Sequence, residues 1–500
     1  MTMSVGSTKI LFPLVVRNIL ANYFGRVWSA VSIFLFVPLY IKLLGLESYG
    51  VVGFHSVVLG IALIADAGLS AAFSREVARS NDVAYLRDLL RTMERLYLSI
   101  CAAVALIFVL LSPWIATRWL QIPASVSVHS ATVSIALMGV AVSLQLAMSL
   151  YVGGLMGLQR QESANINQIL FSVTRAGLVL VPLYWMPTLT VYFAWQLFAA
   201  ALFLARFRYL LWKALHGTAD AVFRWSTVAG IYRFALGMLG MSVIGALNTQ
   251  LDKLVTSRLF ALSDYAIYSI AGLLGQAPSM LTLPIALAVL PRMTQIVEGQ
   301  NKGSLPVLYR TYSVAIALVA STVGILLIAF AQDFVQLWTG SAHIAVQAAP
   351  ILRILAAGGI FLALQLMPYH LSLANGHNST NLKLGFAFLL VTPILTIYLA
   401  QVHGMLGAAY PWLLMNLLAA GALGYVLTSR FLPGKFSDWL FYRTLAPTFF
   451  VLTSTLLCRE TLTVLLPPVH PAWLPLLIAT AVVASFSAAY FAVHMKLSLK

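Results

Sequence analysis

Long apolar runs follow one another along almost the whole chain, separated by short polar segments. Polar side chains within the runs are too few to mark one face, so each run reads as a helix that is apolar all round. A hydrocarbon core about 30 Å thick needs roughly 20 such residues per helix. On that basis helices are expected near 18–41, 49–73, 96–119, 131–157, 165–187, 189–212, 234–257, 265–290, 311–332, 347–373, 384–401, 405–428, 444–466 and 474–495. The expected fold is therefore all-α and polytopic, with about fourteen transmembrane helices. Some links are very short, such as Met186-Pro187-Thr188 and His403-Gly404, and no loop is long enough for a soluble domain.

Composition agrees with the pattern. The chain is 61% hydrophobic and 9% charged, against roughly 25% charged in a soluble protein. The net charge is +16, yet no dense Lys/Arg tract with interleaved aromatics points to nucleic acid. Basic residues gather in alternate loops instead. One side collects Lys9, Arg17, Arg75, Arg79, Arg87, Arg91 and Arg95, and later Arg292, Lys302, Arg310, Lys383, Arg430, Lys435 and Arg443. The other side has Lys42, Arg118, Arg258 and Arg459. This bias places both termini in the cytoplasm. The first apolar run reads as a retained helix rather than a cleaved signal.

The chain also carries signs of duplication. Residues 44–51 resemble 260–267, and both segments join the first and second helix of a half. Leu155-Met156-Gly157 similarly matches Ala374-Asn375-Gly376. Two even-numbered units would enter the membrane the same way and leave a cavity between them. The expected division is a six-helix lobe over 1–215, a second over 216–430, and two added helices over 431–500.

Ionisable groups inside a span cost several kcal/mol unless paired, hydrated or able to snorkel. Arg175 lies at the centre of its span, about 15 Å from either end, and should face water or a carboxylate. Arg26 sits nearer one end, where snorkelling competes with a site role. Asp66 could be a counter-ion for Arg26 or a proton carrier. Asp252 and Lys253 follow Asn248 and Gln250 on one helix. Adjacent residues point about 100° apart, so these two are not expected to pair. Arg353 follows Pro350, with Gln365 and His370 deeper on the same helix. The set is more basic than acidic, which suits an anionic substrate. Catalytic signatures are absent: there is no Walker A motif, no metal-spaced cluster and no paired carboxylates. Cys101 and Cys458 lie in apolar runs and read as buried thiols. No enzyme activity, metal or cofactor is expected.

Several stretches, in order, resemble bacterial polysaccharide flippases, the Wzx-type O-unit transporters of the MOP exporter superfamily. They are Val16-Arg17-Asn18 through Val37-Pro38-Leu39-Tyr40-Ile41, Leu44-Gly45, Tyr49-Gly50, and Asp66-Ala67-Gly68-Leu69 with Ser74-Arg75-Glu76. Gly154-Leu155-Met156-Gly157-Leu158-Gln159-Arg160 and Leu251-Asp252-Lys253-Leu254 complete the series. The resemblance spans most of residues 15–430. It implies two six-helix lobes of MOP/MATE type plus two C-terminal helices. It also implies an undecaprenyl-pyrophosphate-linked oligosaccharide moved across the cell inner membrane by alternating access, coupled to an ion gradient. On this resemblance Arg26, Arg175, Lys253 and Arg353 would bind substrate, and Asp66 and Asp252 would couple the ion. Partners would be the lipid-linked oligosaccharide pyrophosphate, membrane lipids, and potentially a polysaccharide polymerase and chain-length regulator. A peptidoglycan-precursor flippase stays close to this reading. A multidrug exporter of the same superfamily is an alternative, although such proteins usually handle cations. A membrane polymerase or glycosyltransferase is another, but the outward loops near 120–130 and 333–346 are short for one.

Overall fold

The computed structural model describes residues 32, 34–122, 127–216, 221–225, 232–299, 302–432, 434–465 and 473–498. These are overwhelmingly helical, with no strand among them. Eleven segments among the described residues are long and apolar enough to cross a membrane. One of them, Ser379–Phe431, is broken at Gly404 (φ 63°, ψ −148°), which divides it into two crossings. Phe34–Leu44, a shorter apolar helix, and Tyr232–Leu259 lie where the two other crossings were expected, and most of the expected 18–41 span falls outside the described residues. Large apolar side chains such as Leu98, Leu110, Trp185 and Leu457 are exposed. Such surfaces are at home only where hydrocarbon is the solvent. The chain is a multi-pass membrane protein.

The chain forms two compact units, Met1–Gln250 with Ala261–Ser263, and Leu251–Phe260 with Asp264–Lys500. The first contains α1 (Phe34–Leu44), α2 (Leu46–Arg79), α3 (Val83–Trp114), α4 (Val128–Gly157), α5 (Gln161–Ser172), α6 (Leu180–Trp185) and α7 (Leu189–Ala214). A π-helical turn, Val173–Gly177, lies between α5 and α6. α4 is the hub and packs on α2, α3 and α7. Glycine allows close approaches here: a Cβ on Gly157 would lie 2.5 Å from the Ser74 carbonyl of α2. Small residues at such crossings let backbones meet in a membrane, where lipid provides no hydrophobic drive for helix association.

α3 begins at Val83, well before the expected 96. Asp82 caps it, accepting from the Ala84 and Tyr85 N–H groups at 2.9 and 3.2 Å. Its first turns are polar, so an apolar-run reading misses them. Glu94 near this end takes hydrogen bonds from Arg208 (2.9 Å), Trp212 (2.7 Å) and Tyr151 (3.0 Å), tying α3 to α7 and α4.

α8 (Tyr232–Leu259) contributes residues to both units. The second unit continues with α9 (Leu262–Gly275), α10 (Ala277–Glu298), α11 (Leu305–Ala329), α12 (Ala331–Thr339), α13 (Ala342–Leu364) and α14 (Leu366–Ala374). α15 (Ser379–Phe431), α16 (Ala446–Leu465) and α17 (Trp473–Ser498) complete it. α13 is buried against α11 and α15. α16 and α17 dock on α11 through Ser321–Thr448 and Thr322–Ser487 hydrogen bonds, both 2.9 Å. The turn at Gly404 is tight enough that a Cβ on Gly407 would collide with the Leu399 carbonyl.

Candidate functional site

Each unit carries its own cluster of polar groups among apolar helices. In the first, Asp66 of α2 is buried. Its carboxylate accepts hydrogen bonds from Tyr97 of α3 and Ser149 of α4. Among the described residues no cation pairs with it. Arg26, the expected counter-ion, lies outside those residues.

Arg175 sits in the π-helical turn, half-buried. Its Nη1 donates to Gln145 Oε1 of α4 at 3.0 Å, and the guanidinium lies 5.5 Å from the Phe171 ring centroid. A π turn breaks the regular ladder, and its carbonyls need other donors. Three side chains provide them. Trp195 Nε1 donates to Thr174 O (2.8 Å), Gln196 Nε2 to Arg175 O (3.1 Å) and Tyr40 OH to Ala176 O (2.5 Å). The backbone under Arg175 is thus clamped from α1 and α7. No carboxylate lies within ion-pairing distance of Arg175 among the described residues.

Gln145 and Ser149 are four residues apart on α4, so they share a face one turn apart. That face brings Asp66 and Arg175 into one cluster. Nearby, His55 of α2 is buried edge-on to Phe193 at 5.5 Å, and its Nε2 has no hydrogen-bond partner among the described residues.

In the second unit, Asp252 and Lys253 of α8 are buried and paired, with Nζ to Oδ1 at 3.2 Å. This corrects the expectation that adjacent residues on a helix would not pair. The Cβ directions do diverge, but the lysine stem is long enough to curl back. Burial removes the water that would otherwise hold each charge apart. Tyr268 of α9 donates to Asp252 Oδ2 at 3.0 Å, and the Lys253 ammonium lies 5.4 Å from the Trp412 ring of α15. Trp412 in turn donates to the Leu355 carbonyl of α13 at 3.3 Å.

Arg353 is exposed on α13. The exposed side of this helix also carries His343 and Gln347, hydrogen-bonded to each other at 3.1 Å, while its buried side is Ile, Leu and Ala. His370 is buried and donates from Nδ1 to the Leu366 carbonyl at 2.7 Å, a structural bond. α13 and α14 meet at Gln365, whose Nε2 donates to Asn416 Oδ1 at 3.1 Å.

The sequence therefore exposes the charged members of each cluster and misses their partners, namely Tyr97, Gln145, Ser149, His55, Tyr268 and Trp412. The Gln145/Ser149 spacing in an apolar run is a signal that would have found two of them. The aromatics carry no such mark, because aromatic residues are common throughout the chain.

Comparison with known proteins adds context. Residues 15–297 match the sequence profile of a family described as "Polysaccharide biosynthesis protein". A Shigella flexneri protein named as a candidate O-antigen transporter is 21% identical over 420 residues, covering 83% of this chain and 98% of its own. Among solved structures, the lipid II flippase MurJ in an inward closed conformation aligns with a TM-score of 0.75 at 12% identity, over 96% of this chain and 100% of that one. A MOP superfamily transporter from Pyrococcus furiosus aligns at 0.59 and 17% identity, over 84% and 96%. A MATE transporter from Vibrio cholerae aligns at 0.59 and 14%, over 83% and 96%. The fold is that of MOP-type transporters, and the proteins it resembles are transporters rather than enzymes.

Proposed function

The chain belongs to the polysaccharide biosynthesis protein family, and from this we propose that it flips an undecaprenyl-pyrophosphate-linked oligosaccharide across the cell inner membrane. The observation that carries the substrate class is Arg175. A half-buried guanidinium at mid-span, oriented by Gln145 and without a carboxylate partner among the described residues, needs water or an anion. A pyrophosphate matches its planar donor array. The exposed His343/Gln347/Arg353 side of α13 supports the same reading, since a lipid-facing side would be apolar.

In this proposal Arg26, Arg175, Lys253 and Arg353 bind the pyrophosphate headgroup in turn as the protein alternates access. Two six-helix lobes, 1–215 and 216–430, carry the motion, with 431–500 as an addition. Both termini face the cytoplasm. Asp66 and Asp252 couple the step to an ion gradient. Each carboxylate is held by hydroxyl donors, Tyr97 and Ser149 for one and Tyr268 for the other, so proton uptake would break a defined hydrogen-bond set.

The test is transbilayer movement in proteoliposomes. A pyrophosphate-linked oligosaccharide lipid is loaded in one leaflet and its exposure in the other is read with a membrane-impermeant lectin. Protein-dependent exposure, accelerated by a proton gradient, is the expected result. Transport of a cationic drug with no lipid movement would replace the reading with an exporter.

A further inference from the structure

At one end of the second unit a cavity of about 360 Å³ opens between the ends of four helices. Its walls include Val297 of α10, Leu305 and Pro306 of α11, and Phe431 of α15. Leu432, Asn375 and two cations, Arg430 and Lys435, complete it. Consecutive crossings alternate direction. The C-terminal ends of α10, α14 and α15 and the start of α11 therefore share one side of the membrane, which places the cavity at headgroup depth.

Several facts separate this cavity from an ordinary charged helix end. An arginine in the last turn of a helix is accounted for by the helix dipole; a second cation five positions along the chain, lining the same cavity, is not. Neither Arg430 nor Lys435 is ion-paired among the described residues. The nearby acid, Asp438, is already engaged by Arg310 at 2.9 Å and Arg443 at 3.2 Å. The Arg430 guanidinium stands 5.6 Å from the Phe431 ring centroid, which limits where it can point. α11 starts here with no acid in its first turn and no side-chain cap, adding positive potential. The remaining wall is apolar apart from Asn375, whose Nδ2 donates to the Leu371 carbonyl at 2.8 Å. Two cations over an apolar wall at headgroup depth match a phosphate attached to a hydrocarbon chain.

We propose that this cavity binds the phosphate of a membrane lipid headgroup, with Arg430 and Lys435 as its ligands. The site is separate from the Asp252–Lys253 cluster and does not depend on what the transporter carries. The phosphate could belong to an anionic phospholipid or to a polyprenyl pyrophosphate, which share the chemistry recognised here.

The test uses the full-length protein in detergent and native mass spectrometry. Retention of phosphatidylglycerol is compared with that of phosphatidylcholine, for wild type, for Arg430→Gln/Lys435→Gln, and for Arg292→Gln/Lys383→Gln. The last pair removes the same charge from exposed residues outside the cavity. Wild type should prefer phosphatidylglycerol. The cavity variant should lose about tenfold of that retention, the scale of one charge-assisted hydrogen bond, and the control should stay within about twofold. If undecaprenyl pyrophosphate displaces phosphatidylglycerol from wild type, the polyprenyl headgroup is a ligand; if it does not, the ligand is the phospholipid. Both results support the site. Equal retention by wild type and the cavity variant, equal loss in both variants, or binding of inorganic phosphate alone would overturn it. Should the double variant fail to fold, the single Arg430→Gln and Lys435→Gln changes carry the same comparison.

Discussion

Lys253 and Asp252 neutralise each other inside the second unit, and this makes their substitutions asymmetric. Among the described residues, Lys253→Ala leaves a buried carboxylate with Tyr268 alone to hold it. Breaking such a pair costs about 3–5 kcal/mol. Replacing both, as Asp252→Asn with Lys253→Met, removes both desolvation penalties and should cost much less. Thermal unfolding of the purified variants in detergent checks the order: single worse than double. Arg175 behaves differently, because no acid depends on it among the described residues. Arg175→Ala should leave the protein folded and inserted while transport of the lipid-linked substrate falls at least about tenfold. Arg175→Lys should keep part of the rate if charge alone suffices, and little if the planar donor pair is needed. Wild-type flux from Arg175→Ala in the proteoliposome assay would remove this residue from the site.

Helices were legible in the sequence where they are apolar, and illegible where other forces shape them. The spans follow from run length alone, and the break at Gly404 follows from the short His403-Gly404 link. The polar start of α3 does not, because it lies beyond the apolar run and is fixed by the Asp82 cap. Nor does the π turn at Val173–Gly177, which depends on donors from Tyr40, Trp195 and Gln196, distant in sequence. The same reasoning explains why the charged site residues were visible and their aromatic and hydroxyl partners were not. Two predictions belong to this scale. Tyr40→Phe and Trp195→Phe each strip a donor from the π turn, and each should cost about 1 kcal/mol. They should also slow transport without changing any charge, which flux and melting measurements together will read. Gly404→Ala forces a β-carbon into a backbone region used almost only by glycine, at about 1–3 kcal/mol. Its melting temperature should fall while Gly421→Ala, at an open helical position, should not.

Across the whole molecule, the alternate placement of basic loops carries the proposed orientation, which labelling can test directly. In a background lacking Cys101 and Cys458, cysteines replacing Lys383 and Arg459 should react with an impermeant maleimide from opposite sides of the membrane. Lys383→Cys should label only after the cytoplasmic face is opened. Labelling of both from the same side would reverse the assignment of the loops. The likeness to MurJ extends over 96% of the chain at only 12% identity. This shows how little of such a fold rests on particular side chains. Spans of adequate length, small residues at the crossings and buried polar groups that satisfy each other are enough.

Membrane voltage pulls on net charge, at about 2.3 kcal/mol per elementary charge for each 100 mV traversed. The Asp252–Lys253 pair has none while it stays closed. α8 can therefore shift in depth with almost no electrical work at that point. If Asp252 takes up the coupling proton as proposed, the pair gains a net positive charge beside Trp412 on which the field acts. Under that proposal the closed pair is electrically silent until it takes up a proton, and the current carried per cycle would depend on pH.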